Sequence, residues 1–234
     1  MVELISELRA EVVRANLQRV REQIAQALAR SRPAGAHGAR EVEVLAATKY
    51  LAARELPALA DAGVRLVGEN RAQDLQEKVA AHGPLFEWDF IGQLQSRRVR
   101  AIVPHVRLIH SVASESALRE LERHRAAARP GLRILLEVNV AGEAGKAGIA
   151  PDRLDGFIAR APLPVAGLMT MPPLSREPED SRRWFAALAA LARERGLEHL
   201  SMGTSQDYVV AVEEGATIVR IGTKLYHPGA PIPP

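Results

Sequence analysis

A lysine at the end of an apolar run, two hydroxyl- and glycine-rich turns and an arginine after a second apolar run are the groups in this chain whose types and spacing suggest chemistry. Val42-Glu43-Val44-Leu45-Ala46-Ala47-Thr48-Lys49 is short and mostly apolar, and it ends in an ammonium. Such a run reads as a buried strand, which can hold a charge only at its end, where the chain leaves the core. Lys49 is therefore expected at the lip of a sheet or barrel. The chain has 31 Lys+Arg, of which only Lys49, Lys78, Lys146 and Lys224 are lysines, so its solvated positive charge is carried almost wholly by arginine. A lysine kept at a strand end is a candidate for what guanidinium cannot do, which is to lose its proton and attack a carbonyl. The alternative is an ordinary solvated lysine.

The turns are Ser201-Met202-Gly203-Thr204-Ser205 and Gly222-Thr223. Each is placed to open a helix, where free backbone N–H groups beside hydroxyls make an anion site. Taken singly, Ser205 could cap a helix beginning near Asp207, and Thr223 could cap a terminal turn. Taken together, after adjacent strands, they favour phosphate. Arg220 ends an otherwise apolar strand, so its guanidinium needs a partner at the mouth of the fold. A phosphorylated aldehyde would satisfy both the lysine and the anion site.

The elements that must position these groups alternate. After an amphipathic helix over residues 2–30, with Leu4, Leu8, Val12, Leu17, Val20, Ile24 and Leu28 on one face, comes a Pro/Gly-containing linker and then the Lys49 strand. Seven further strands follow, ending near Gly68, Gly92, Ser111, Asn139, Met169, Ser201 and Ile221, with helical stretches between them. Eight strands, each followed by helix, predict an α/β fold: a single parallel (β/α)8 TIM-type barrel over residues 42–226 with an extra N-terminal helix over 1–30, in one domain spanning 1–234. An open doubly wound sheet is the competing architecture, but no Gly-x-Gly-x-x-Gly follows an early strand. In a barrel the strand ends form one ring, here Thr48-Lys49, Glu69-Asn70, Gly92-Gln93, Ser111, Asn139, Met169 to Met171, Ser201 to Ser205 and Arg220 to Thr223. That ring is polar, small and cationic, with Glu69 its chief acid.

Composition removes other chemistries. With no cysteine, thiol nucleophiles, disulfides and Cys-ligated metals are excluded, and His105 and His110 lack metal-ligand spacing. The N-terminal residues carry charges where a secretory signal needs an apolar core, and no stretch is long and apolar enough to span a bilayer, so a cytoplasmic protein without a membrane partner is expected. A net charge of +3 invites a nucleic-acid reading. The arginines are interleaved with acids and aromatics are only 4%, so neither a stacking platform nor a concentrated basic face is present, and no nucleic-acid partner is expected. The dense run Arg97-Arg98-Val99-Arg100 reads as the solvated face of a short helix.

Several segments resemble one family: Ala46-Ala47-Thr48-Lys49, Gly68-Glu69-Asn70-Arg71-Ala72-Gln73, Phe90-Ile91-Gly92-Gln93-Leu94-Gln95, Asn139-Val140 through Gly145-Lys146-Ala147-Gly148-Ile149, Gly167-Leu168-Met169, Ser201-Met202-Gly203-Thr204-Ser205-Gln206-Asp207 and Val219-Arg220-Ile221-Gly222-Thr223. In this order they resemble the pyridoxal 5′-phosphate (PLP) homeostasis proteins, which are similar in fold to the barrel domain of alanine racemase. The resemblance implies that Lys49 forms an aldimine with PLP. It also implies that Ser205, Gly222 and Thr223 hold the phosphate, that Asn70 and Ser201 lie beside the cofactor, and that Arg220 faces the pyridine nitrogen. A fixed cation there disfavours protonation of that nitrogen and makes the ring a poorer electron sink. The implied role is a carrier that regulates PLP pools, monomeric, with PLP-dependent apo-enzymes as partners. Departures from the family pattern are Asp89 for a usual His, Arg97-Arg98 for an Asn-Lys pair, Thr204 for a common Met, and the C-terminal His227-Pro228-Gly229-Ala230-Pro231; they are expected to alter the rim. A PLP-dependent racemase would need a second acid/base, for which Tyr50, Tyr208 and Tyr226 are the only phenols. A Schiff-base aldolase would need a proton-shuttling group near Lys49, for which Glu69 is the candidate.

Overall fold

The computed structural model describes residues 5–31 and 41–227. The linker expected over 31–38 and the C-terminal departures beyond His227 lie largely outside the described residues. Eight strands, β1 (Glu43–Ala47), β2 (Leu66–Glu69), β3 (Glu87–Phe90), β4 (Leu108–Val112), β5 (Arg133–Glu137), β6 (Val165–Met169), β7 (His199–Thr204) and β8 (Ile218–Ile221), pair in sequence order, and β8 closes on β1. Every pairing is parallel. Helix α1 (Ala10–Arg30) precedes the barrel, and α2 (Leu56–Asp61), α3 (Ala72–His82), α4 (Val99–Ile102), α5 (Glu115–Arg123), α6 (Leu154–Ala159), α7 (Arg182–Glu194) and α8 (Tyr208–Glu213) are the crossovers; α9 (Thr223–Tyr226) follows β8. The expected (β/α)8 barrel is the observed one.

Strand alternation divides the core in two. Side chains of one parity pack outward against the helices, and those of the other fill the barrel, where Leu45, Leu108, Leu135, Met169 and Ile218 form a separate apolar cluster. Along β1 the inward parity is Glu43, Leu45 and Ala47, and its continuation is Lys49. Bulges between β4 and β5, β5 and β6, and β7 and β8 shift the register. The last sets Ser201 opposite Ile218 but Thr204 opposite Arg220, which brings the two final strand ends level.

Helix α1 buries Val13, Leu17, Val20, Ile24 and Ala27 on one stripe and lies against α8, α9 and α2. Its buried Asn16 donates through Nδ2 to the carbonyls of Leu225 (2.9 Å) and His227 (3.1 Å), satisfying the end of α9. The helix thus covers the seam where β8 meets β1. Its start differs from expectation, since residues 5–9 are not helical: Ile5 N–H donates to Tyr50 O at 2.8 Å, and Leu8 N–H donates to Glu55 Oε2 at 2.9 Å. Leu8, one of the expected stripe, still packs against the core, as does Ile5. The Arg97-Arg98-Val99-Arg100 run is as expected, three exposed arginines around a buried Val99.

Burial holds three imidazoles, His105, His110 and His199, below their ordinary value of 6.5. Each binds its proton less tightly in the folded than in the unfolded chain, so below about pH 6.5 the unfolded state binds more protons and stability falls with acidification. The slope approaches about 1.4 kcal/mol per pH unit for each histidine involved. Glu137, pushed up by burial, acts in the opposite sense as it protonates. Urea unfolding of the wild type and of His110→Gln between pH 7 and pH 5 should therefore give a shallower loss in the variant; equal slopes would remove His110 from this account.

Candidate functional site

Lys49 lies in the turn that follows β1 and is exposed, with its Nζ 4.6 Å from the centroid of the Tyr50 ring. The residue before it is locked. Thr48 is fully buried, and its hydroxyl donates to Glu69 Oε1 at 2.6 Å. From α3 the ammonium of Lys78, only 4% exposed, pairs with Glu69 and donates to the Thr48 carbonyl at 2.9 Å. The other Glu69 oxygen accepts the Asn70 N–H at 2.9 Å. Every partner that a buried carboxylate requires is supplied locally, and together they clamp the end of β1 to the end of β2.

The neighbouring strands bring the other expected residues to the same level. Ala46 pairs with Ile221 on one side, and Ala47 pairs with Gly68 on the other. Gly222-Thr223 and Asn70 therefore flank the turn that carries Lys49. Ser205 Oγ accepts the Gly222 N–H at 3.2 Å, joining the two turns into one polar cradle. Neither helix-cap alternative is realised: the residue ahead of α8 is Asp207, whose Oδ1 accepts the Thr204 N–H at 2.8 Å, and Thr223 is the exposed first residue of α9. Asn70 Oδ1 is buried without a hydrogen-bond partner, an orphan at the rim for a ligand group to satisfy.

Arg220, the last but one residue of β8, lies inside the barrel and is 6% exposed. It donates to Ser201 Oγ (2.6 Å), the Thr170 carbonyl (3.1 Å) and Met171 Sδ (2.9 Å). These take three of the five N–H donors of a guanidinium, and the remainder are available to a ligand. Burial lowers its pKa to about 10 against the pull of Asp207 and Glu137. Ser201 is fully buried and stands behind Arg220, so its contribution to the site passes through the guanidinium. Asp89 does not belong to the rim, where its departure from the family pattern was expected to act. It is fully buried on β3, because Glu87, Asp89 and Ile91 take the inward parity there.

Three residues of the mouth were not foreseen. Lys78 occupies the buried stripe of α3 with Ala72 and Leu75, and a lysine in register with apolar residues was its signal. Glu137 ends β5 and is buried, which raises its carboxyl pKa, with Arg220 and Lys146 opposing. His110, fully buried on β4, bonds both Asp89 and Ser201. Among the described residues no group of three His, Asp or Glu could hold a metal, and no helix is long and apolar enough to cross a membrane.

Comparison with known proteins places the fold in a family. Residues 10–228 match the family model of the alanine racemase N-terminal domain. The chain is 38% identical over 221 residues to the pyridoxal phosphate homeostasis protein of Aquifex aeolicus, covering 90% of this chain and 95% of that one. The chain belongs to the pyridoxal phosphate homeostasis protein family. The solved structure of PipY of Synechococcus elongatus with PLP bound superposes with a TM-score of 0.69 at 30% identity, covering 88% of this chain and 99% of PipY. Alanine racemase of Corynebacterium glutamicum shares the fold, with a TM-score of 0.64 at 19% identity over 99% of this chain and 65% of the enzyme. This family member thus spans nearly the full length of its homeostasis relatives and about two thirds of the racemase.

Proposed function

We propose that this chain binds PLP at the barrel mouth, anchored at Lys49, and holds it as a carrier that buffers the cofactor or supplies it to PLP-dependent apo-enzymes. The observation that carries this reading is the placing of an exposed amine beside the Ser205–Gly222 cradle on adjacent strand ends. The residues fit the cofactor in kind: Lys49 for its aldehyde, Ser205, Gly222 and Thr223 for its phosphate, Arg220 for its ring nitrogen, and Asn70 with an unmatched amide oxygen. When bound, PLP would supply a conjugated ring able to stabilise a carbanion. Arg220, a fixed cation, opposes protonation of that ring, and Ser201 holds it from behind. The bound PLP of PipY and the names of the curated relatives support the same assignment.

A carrier role is favoured over racemase or aldolase because all but one of the candidate proton-shuttling groups are committed. Tyr226 donates to the Ala47 carbonyl at 2.9 Å, Tyr208 bonds Gln23, and Glu69 is saturated by Thr48, Lys78 and Asn70. Tyr50, under the Lys49 ammonium, is the remaining phenol. Purified protein mixed with PLP and reduced with borohydride should carry a pyridoxyl group on the peptide containing Lys49, and Lys49→Ala should lose it from that peptide. A colourless wild type with no adduct at Lys49 would sink the binding assignment. Sustained racemisation or decarboxylation of a free amino acid, abolished in Lys49→Ala, would replace the carrier by an enzyme. Transfer of PLP to an apo-enzyme tests the supply role directly.

A further inference from the structure

A continuous hydrogen-bonded chain runs through the barrel interior from its lower rim to Arg220. At the lower end Arg107 grips two carboxylates, donating to Glu43 Oε1 and Oε2 (both 2.8 Å) and to Asp89 Oδ1 and Oδ2 (2.9 and 3.2 Å). Asp89 Oδ2 lies 3.1 Å from His110 Nε2, His110 Nδ1 lies 2.8 Å from Ser201 Oγ, and Ser201 Oγ lies 2.6 Å from Arg220 Nη1. Asp89, His110 and Ser201 are all fully buried. Apolar residues would fill the same space at lower cost, since buried charges lose hydration that pairing only partly returns.

With His110 in the neutral form that its burial favours, only one arrangement of protons satisfies the chain. A carboxylate gripped by Arg107 accepts, so His110 Nε2 carries the hydrogen. A neutral imidazole then has a bare Nδ1, which must accept the Ser201 hydroxyl proton. With its single hydrogen turned away, Ser201 presents a lone pair to Arg220. We infer that Asp89 and His110 are positioning residues, which fix the His110 tautomer and through Ser201 hold Arg220 as a committed donor at the cofactor site. The tautomer is a property of the chain alone; the effect on PLP rests on the reading given above.

Asp89→Asn separates this from simple structural support. Arg107 still requires an acceptor, so the amide oxygen turns toward it and the amide nitrogen donates to His110 Nε2. The imidazole hydrogen moves to Nδ1 and points at Ser201 Oγ, which then accepts from both His110 and Arg220, and the buried hydroxyl hydrogen loses its acceptor in the chain. Long-range 1H–15N correlation on the apo protein should show His110 protonated at Nε2 in the wild type and in Glu43→Gln, and at Nδ1 in Asp89→Asn. With PLP, Asp89→Asn should bind about tenfold more weakly, the loss expected for a charged hydrogen bond, and the absorption bands of the bound cofactor should change in relative intensity. Ser201→Ala, which removes only the hydroxyl, should move those bands in the same way, and it serves if Asp89→Asn folds poorly. An Nε2–H tautomer in folded Asp89→Asn would overturn the inference. So would unchanged affinity and bands in Ser201→Ala. If the wild type bound no PLP, the cofactor assignment would fall, and the tautomers would still decide the relay.

Discussion

Replacing Lys78 by methionine should cost about 3–5 kcal/mol of folding stability, the usual consequence of removing one partner from a buried ion pair. The reason lies in what stays behind. Glu69 is fully buried, and without the ammonium it retains only the Thr48 hydroxyl and the Asn70 N–H as donors. The Thr48 carbonyl loses its Lys78 donor as well. Methionine fills nearly the volume of the lysine stem, so the effect is electrostatic and not a cavity. The double variant Glu69→Gln/Lys78→Met removes both charges and should recover most of the loss, since a neutral amide can both donate and accept in that space. Urea denaturation of the two variants and the wild type measures this. If the double variant is as unstable as Lys78→Met, the stranded charge is not the cause.

The contrast between Lys49 and Lys78 shows which parts of the site can be read from sequence. Lys49 is legible because it ends an apolar run, and a charge at the end of a strand can only be at the rim. The strands themselves are legible for a related reason: parallel strands buried on both faces are short apolar runs bounded by breakers, and the strand expected to end near Met169 does end there. The non-helical segment ahead of α1 was not, because Ile5 and Leu8 suit an amphipathic helix and an irregular apolar segment equally well. The interior relay was out of reach for a different reason. Asp89, His110, Ser201 and Arg220 come from β3, β4, β7 and β8, and their meeting depends on barrel closure and on a bulge in β7. Parity along β3 would have placed Asp89 inside. Nothing local joins it to Ser201.

Gly92→Ala should be the most damaging single-methyl change at the mouth, and its partner experiment is Gly167→Ala. A Cβ on Gly92 would lie 1.9 Å from the Asn70 carbonyl oxygen and 2.6 Å from Asn70 Cα; a Cβ on Gly167 would lie 1.9 Å from the His199 carbonyl oxygen. Both collisions are with backbone, which cannot swing aside as a side chain can, so each should cost about 3 kcal/mol, the upper part of the usual range for overpacking. The two sites differ in what the displaced backbone carries. Gly167 pushes on His199, the first residue of β7, away from the mouth. Gly92 pushes on Asn70, which sits beside the clamped turn of Lys49, and also disturbs the Ser111 hydroxyl bonded to the Gly92 carbonyl. Comparable losses of stability should therefore accompany unequal losses of cofactor: PLP affinity falling about tenfold in Gly92→Ala, which corresponds to ~1.4 kcal/mol, and staying near wild type in Gly167→Ala. Thermal unfolding paired with PLP titration gives both numbers for each variant. Equal losses of affinity would mean that barrel strain in general, and not the position of Asn70, controls the site.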